Sequence, residues 1–387
     1  MDKTDKKAGI IIVFALSLIV LLTAIFGSNN NSNIVKSTIK NRKIENSIVK
    51  IDDNCKTFAT NELGVVQNGA DDFSSLKDAR RNSDGDRTSF DDGVASVARQ
   101  SARGGVVVEQ TSRRVLLDEG AHTRCFPAST TKVLTALVVL EHLPLDKIVE
   151  VPKEAESTEG SSLYLRAGQK ITVEDLLFGL MLRSGNDAAV TLAVATAGSV
   201  ENFASIMNDT AKQCGALNSN FVNPHGLHDD NHYTTAYDLA MICARAYEYE
   251  DFAHLVDCRQ RKITVDGEAH YIANKNKLLA MYDGSNGVKT GFTKTSGRCL
   301  VGGAKRDGMQ LISVVLNYND MWNDTIRMLD FCFDKYEMIS LDDALIKGIN
   351  AGNEIEIFKS QNVNEDWSDI RYPIKKDGSE RLVVKSA

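Results

Sequence analysis

Residues 127–143, Pro127-Ala-Ser-Thr-Thr-Lys-Val-Leu-Thr-Ala-Leu-Val-Val-Leu-Glu-His-Leu143, hold both the centre of the fold and its chemistry. From Val133 onward the apolar residues are too continuous for the single stripe of a surface helix, so this helix is expected to be buried on most sides. Pro127 suits the turn that opens it. Ser129 and Lys132 then lie one turn apart on one face, where an amine can reach a hydroxyl. A serine hydroxyl attacks poorly until a base takes its proton, and a lysine can be that base when desolvation and neighbouring cations depress its pKa. The positive end of the helix dipole favours negative charge developing at the same place. The competing reading is a helix cap beside a surface lysine, but a lysine facing a core needs a partner. Three other Ser-x-x-Lys matches, at Ser37, Ser47 and Ser74, lie in polar sequence with no such helix.

Outward from this helix the pattern alternates. Gly105-Val-Val-Val-Glu-Gln, a polar Thr-Ser-Arg-Arg turn and Val115-Leu-Leu-Asp read as a β-hairpin. Helices are expected over Val173–Leu182, Asn186–Ala197, Val200–Cys214 and Thr235–Tyr249. Strands follow at Gly287–Gly291, Arg298–Lys305 and Gln310–Asn317, the last two joined by Arg306-Asp307-Gly308, a strong hairpin signal. Helices in the middle with antiparallel strands from both ends imply an α/β domain at 93–337, large enough to bury a substantial core. Short alternating pieces at 338–387 suggest a small β-rich appendage.

The chain has 387 residues, 43% hydrophobic and 25% charged, with a net charge of −7. This is ordinary globular composition, and its mild acidity argues against nucleic acid as a partner. Gly9–Phe26 runs eighteen residues without a charge behind Lys3, Lys6 and Lys7. That is close to a bilayer span, and its exit lacks a small-x-small cleavage pair, so we read 9–26 as a transmembrane signal anchor. Residues 1–8 would be its cytoplasmic basic lead, and the rest would be exported, or secreted if the segment is cleaved. Residues 27–92, rich in Asn, Ser and Asp, read as a polar flexible stalk. Seven cysteines without a C-x-x-C pair read as mostly buried thiols.

Two further motifs lie downstream. Ser184-Gly185-Asn186 falls between two helical segments, where a tight turn can aim a hydroxyl and an amide into a cleft; an N-cap is its equally good and compatible alternative. Lys289-Thr290-Gly291 falls in an expected strand, although chance predicts only about a tenth of an occurrence of this tripeptide. Lys289 would supply a cation, Thr290 a hydroxyl for an anionic group and Gly291 room for another backbone. An edge strand protected by a lysine is the alternative.

With 55 residues from Ser129 to Ser184 and 105 from Ser184 to Lys289, the sequence resembles the D-alanyl-D-alanine carboxypeptidases, the low-molecular-mass penicillin-binding proteins. The likeness covers about Ala95 to Tyr336 and includes PASTTKVLTAL, LLFGLMLRSGNDAAVTLA, NPHGL, HYTTAYDLA, NKNKLL and GVKTGFT. It implies the serine β-lactamase and transpeptidase fold, an antiparallel sheet flanked by helices with a cleft beside a helical region. It makes Ser129 the acylated nucleophile and Lys132 its base, with Ser184 and Asn186 relaying protons and holding the substrate amide. Lys289 would tune the electrostatics around Ser184, Thr290 would bind the terminal carboxylate, and the N–H groups of Ser129 and Phe292 would form the oxyanion hole. The implied substrates are peptidoglycan stem peptides, with β-lactam antibiotics as ligands, the cytoplasmic membrane as a partner and no metal or organic cofactor.

Members of this family often carry a basic residue after the last sheet strand to grip the carboxylate. Here Asn319-Asp320-Met321-Trp322 stands there, and Arg327 is a candidate substitute. A class A β-lactamase would need a deacylating glutamate in a Glu-x-x-Leu-Asn context, and Glu201, Glu248, Glu250 and Glu268 lack it. A membrane-anchored peptidoglycan-binding pseudoenzyme would be expected to have lost motif residues. The cluster His225-x-x-His228-Asp229-Asp230-x-His232 has the composition of a metal site but falls in the NPHGL loop, so it reads as a hydrogen-bonded loop.

Overall fold

The structure, a computed structural model, describes residues 102–340 and 371–380 with their side chains, and the backbone of strands at 57–59, 63–66, 71–72, 353–359 and 381–386. The expected lead at 1–8, the anchor at 9–26 and most of the expected stalk lie outside the described residues.

Strands from both ends of the domain meet in one sheet. The hairpin of β1 (Gly104–Glu109) and β2 (Val115–Glu119) joins β3 (Ser285–Thr293), β4 (Gly297–Arg306) and β5 (Met309–Leu316). The order is β3-β4-β5-β1-β2, antiparallel throughout, with Asp71–Asp72 added in parallel beside β2. Asp307 and Gly308 both take positive φ, 48° and 81°, as the tight β4–β5 turn requires. Among the described residues β3 is an edge, so one side of the Lys-Thr-Gly strand has no strand beside it.

The sheet alternates its side chains between two apolar layers. Val106 and Val108 face the helical region, whereas Val107 faces the opposite side with Leu300, Leu311 and Val315. On that second side lies α7 (Met321–Lys335), burying Met328, Leu329 and Phe333. The helical region comprises α1 (Lys132–His142), α2 (Val173–Phe178), α3 (Asn186–Ala197), α4 (Val200–Gln213), α5 (Ala236–Ala246) and α6 (Glu250–Asp257). Val133, Leu134, Ala136, Leu137, Val138 and Val139 of α1 are all fully buried, which is why its sequence shows no polar face. Full burial of one such leucine contributes about 1.5–3 kcal/mol. The helix expected over Val173–Leu182 changes character on the way: α2 ends at Phe178, and Gly179–Arg183 form a single wide π turn that delivers Ser184.

A hairpin absent from the sequence reading, Gln260–Val265 with Glu268–Ala273, joins Ile148–Glu150 and Lys170–Thr172 in a second small sheet. Its turn is again Asp-Gly, Asp266 and Gly267, but most strand residues are exposed, so no apolar alternation marks it. Three short strands fall within the segment read as a flexible stalk. Thr57–Ala59 and Leu63–Val66 pair with each other, and the latter also pairs with Asn353–Lys359. The β-branched pair in Leu63-Gly-Val-Val finds its partner almost three hundred residues away, beyond any local reading.

The C-terminal strands are tied to the central sheet. Tyr336–Ser340 pairs with Arg371–Lys375, and buried Arg114 donates to Pro373 O at 2.6 Å and to both oxygens of Glu380 at 3.0 and 2.5 Å. Its guanidinium also stands 5.2 and 5.7 Å from the ring centres of Tyr336 and Tyr372. Removing one member of a buried pair strands the other's charge, so Arg114→Met is expected to lower stability by about 3 kcal/mol or more. Denaturant titration checks this; an unchanged midpoint would show that the clamp carries no stability.

Candidate active site

Ser129 lies on a 3-10 turn, Ala128–Thr131, that runs straight into α1. Thr130 and Thr131 tie the turn by donating to Pro127 O (2.6 Å) and Ala128 O (2.8 Å). Lys132, the first residue of α1, is fully buried. Its Nζ is 3.1 Å from Ser129 Oγ, 2.7 Å from Asn186 Oδ1 and 2.8 Å from the His225 carbonyl. A carbonyl and an amide oxygen only accept, so two Nζ positions must carry hydrogen. The third, toward Ser129, holds either a hydrogen or the lone pair of a neutral amine. Burial, then the charge of Lys289, push Lys132 well below the ordinary lysine value, with Lys275 adding to the effect and Asp187 opposing it.

Asn186 opens α3, and its amide is gripped at both ends: Nδ2 donates to Glu159 O at 2.5 Å while Oδ1 accepts from Lys132. Ser184, just before it, is buried and takes a left-handed conformation, φ 63°. Asp187 turns away from the lysines, accepting from Ser162 Oγ (2.6 Å) and from the N–H groups of Leu163 and Leu165 (2.9 and 3.1 Å). The Asn223–Leu227 loop supplies the third oxygen around Lys132. Asn223 Oδ1 accepts from Gly226 N at 2.7 Å, and Thr135 of α1 donates to Pro224 O at 2.6 Å. Gly226, at φ 83°, leaves no room for a side chain, since a Cβ would stand 1.8 Å from Ala128 O.

β3 closes the other side. Lys289 is buried and donates to its neighbour's carbonyl, Thr290 O, at 2.9 Å; burial and then Lys275 push it down to about 7. Gly291 lies where a Cβ would come within 3.0 Å of Ser129 N, so glycine is what lets the edge strand approach the nucleophile's backbone. Thr290 is half-buried and Phe292 largely exposed.

Thus Ser129, Lys132 and Asn186 are joined by direct hydrogen bonds, Gly291 abuts Ser129, and Lys289 acts on Lys132 through its charge. Sequence reasoning missed the His225 carbonyl, Lys275 and Asp187. Lys275 reaches Ser161 Oγ at 3.2 Å, and NKNKLL, NPHGL and the Asp after Ser-Gly-Asn were their only signals. Arg327 is corrected as a cleft cation: it pairs with Asp324 on α7, across the sheet from Ser129. The histidine cluster is woven into hydrogen bonds. His232 Nδ1 accepts from Val222 N at 3.1 Å, so its Nε2 carries the proton toward Thr131 Oγ1 at 2.8 Å, and burial lowers it to about 3. Burial likewise raises the thiols of Cys125, Cys214 and Cys299 to about 12, leaving them inert at neutral pH.

A buried, depressed lysine on a serine hydroxyl at a helix start, facing the glycine of an edge strand, defines a serine hydrolase that works by acyl transfer. Comparison with known proteins agrees: residues 92–320 match the D-alanyl-D-alanine carboxypeptidase family, and the chain belongs to it. D-alanyl-D-alanine carboxypeptidase DacF of Bacillus subtilis is 32% identical over 296 residues, covering 71% of this chain and 76% of that protein. DacC of Escherichia coli is 33% identical over 254 residues, 62% of this chain and 63% of its own length. Among solved structures, the S96A mutant of Streptomyces K15 DD-transpeptidase matches with a TM-score of 0.57 and 31% identity, over 62% of this chain and 99% of that one. The Mycobacterium tuberculosis D-alanyl-D-alanine carboxypeptidase matches with 0.58 and 30%, over 61% and 92%.

Lys289 carries a stability signature. Its folded value, about 7, lies below that of a lysine in the unfolded chain, so between the two the unfolded chain holds the extra proton and stability rises with pH. One such proton contributes a slope of about 1.4 kcal/mol per pH unit. Denaturation free energies from pH 7 to 10 are expected to rise less steeply in Lys289→Met than in the parent. Equal slopes would mean that Lys289 is not depressed.

Proposed function

We propose that Ser129 is the nucleophile acylated in the D-alanyl-D-alanine carboxypeptidase reaction and that Lys132 is its general base. The observation carrying this is the hydrogen-bond set of Lys132: with two N–H groups on Asn186 Oδ1 and His225 O, a neutral amine directs its lone pair at Ser129 Oγ. The hydroxyl proton passes to Lys132 Nζ as Oγ adds to the carbonyl carbon of the penultimate D-alanine. The oxyanion is held by the N–H groups of Ser129 and Phe292, the strand approach at Gly291 bringing them together. The proton is returned through Ser184 to the leaving amine, D-alanine departs, and water hydrolyses the ester. Asn186 keeps one amide N–H for the substrate peptide after Glu159 O has taken the other, and Thr290 offers its hydroxyl to the terminal carboxylate.

Among the described residues no carboxylate is hydrogen-bonded to Ser129 or Lys132, which supports slow deacylation of a bound β-lactam. Incubated with a D-Ala-D-Ala pentapeptide, the protein is expected to release one alanine, read by mass spectrometry. Fluorescent penicillin should give an adduct that outlasts a chase and is lost in Ser129→Ala. Labelling that persists in Ser129→Ala, or rapid hydrolysis of a chromogenic cephalosporin, would overturn the assignment.

The proposal extends to location. Gly9–Phe26 would hold the catalytic domain on the outer face of the cytoplasmic membrane, where stem peptides are, with the following polar segment as spacer. Among the described residues no single helix is long and apolar enough to cross a membrane. The protein is expected to stay with membranes through carbonate extraction; recovery in the soluble fraction would remove the anchor.

A further inference from the structure

A groove of about 290 Å³ lies between the Ser162–Leu165 segment and the hairpin at 260–273. Its floor is apolar, with Leu165, Ile263, Val265 and Ile272 all buried. Tyr164 lines it from the segment and Tyr271 from the hairpin, and they are 85% and 83% exposed. Arg183, the last residue of the π turn before Ser184, lines it too.

Both walls are built onto the active site. The first continues from residues that frame Asn186: Glu159 O holds its Nδ2 at 2.5 Å, and Ser161 O accepts from its N–H at 2.7 Å. Asp187 then grips the N–H groups of Leu163 and Leu165, which sets the position of Tyr164 between them. The second wall runs from the hairpin into Lys275, whose N–H donates to Leu182 O at 3.1 Å and whose Nζ reaches Ser161 Oγ at 3.2 Å. Tyr164 is three residues beyond Ser161, so the groove begins within about 11 Å of it. A substrate with its carboxylate end at Thr290 and its peptide on Asn186 sends its remaining residues out past Asn186. Extended peptide covers that distance in about three residues.

The chemistry of the groove says what it takes. Among the described residues Arg183 makes no hydrogen bond and no ion pair, while burial and then the charge of Arg183 push Lys275 down, which places a second cation close by. A half-buried guanidinium with its donors free, beside an apolar floor, suits a carboxylate carried on an aliphatic chain. The volume is at the small end of ligand pockets, which run from about 300 to 1,000 Å³, and so fits a short peptide segment rather than a glycan strand.

We propose that this groove binds the acyl side of the substrate peptide, Arg183 pairing with a carboxylate two or three residues before the acylated D-alanine, so that the enzyme selects acidic stem peptides. The inference rests on the acyl-enzyme reading above and adds to it a second binding site.

The test uses the full-length protein and acetylated pentapeptides ending in D-Ala-D-Ala, with glutamate at the second or the third position before the acylated D-alanine, each against its glutamine counterpart. Acetyl-D-Ala-D-Ala, which ends before the groove, is the short reference. The parent should prefer one of the acidic pentapeptides over its neutral counterpart by about 10-fold in kcat/KM, the low end for a charge-assisted contact. Arg183→Gln should make the two converge, and Arg183→Lys should recover part of the difference. Tyr271→Ala should lose about 5-fold on the pentapeptides relative to the short reference, through lost apolar contact. Penicillin labelling at saturating drug reports whether Ser129 remains competent; if Arg183→Gln fails to label, the exposed Tyr271 position decides. A parent that does not distinguish glutamate from glutamine at either position overturns the groove and leaves the acyl-enzyme reading standing. So does a preference that survives Arg183→Gln in labelling protein, or a Tyr271→Ala variant whose pentapeptide and short-peptide rates keep the parent ratio. A parent that neither labels nor releases alanine overturns both.

Discussion

A lysine amine buried at the foot of a buried helix is the constraint around which this molecule is organised. Lys132 has no counter-charge in hydrogen-bond contact; its partners are three neutral oxygens from three distant parts of the chain, Ser129, Asn186 and His225. A carboxylate in any of those positions would favour the ammonium and abolish the base. Asp187, whose charge acts on Lys132, is instead spent on the N–H groups of Leu163 and Leu165. Each neutral oxygen needs its own support, which explains the weight of polar structure in the surrounding loops. Asn186 is held by Glu159 O, and the His225 carbonyl by the Asn223 turn, by Thr135 on Pro224 O and by the fit of Gly226 against Ala128.

The same requirement explains the company of cations. Lys289 and Lys275 both lower Lys132, and Lys275 also lowers Lys289, so basic groups are gathered in the cleft. In a chain of net charge −7 this local excess runs against the composition. An anion relieves this repulsion, and a peptide ending in a carboxylate brings one. Attraction for substrate and activation of the nucleophile thus draw on one electrostatic arrangement.

How much of this was legible in the sequence follows from which atoms do the work. α1 announced itself because burial on all sides leaves only apolar residues, and the β4–β5 hairpin because Asp307-Gly308 stood between two apolar runs. The hairpin at 260–273 carries the same Asp-Gly turn but packs one thin face, so its strands were silent. Side chains with a chemical identity, Ser129, Lys132, Asn186 and Lys289, could be picked out by motif. The oxygens of Glu159 and His225 could not, because every residue has a carbonyl and only the fold selects one. Arg114 and Glu380, 266 residues apart, were hidden for the related reason that a buried ion pair leaves no local pattern.

Strain at the site fits the same account. Ala128, beside the nucleophile, and Ser184 both adopt left-handed backbone, φ 49° and 63°, which L residues with a Cβ disfavour. Relaxing Ala128 would move the turn that aims Ser129, and the Gly226 contact with Ala128 O leaves little space for that movement. Relaxing Ser184 would disturb the start of α3 and with it the Asn186 oxygen on Lys132. Buried cations and strained turns both lower stability, and both are enclosed by the most apolar parts of the molecule, α1 and the inner face of the sheet. The continuous hydrophobic run after Lys132 therefore does more than fill a core: it excludes the water that would otherwise protonate the base, and it offsets the destabilisation that a desolvated base imposes.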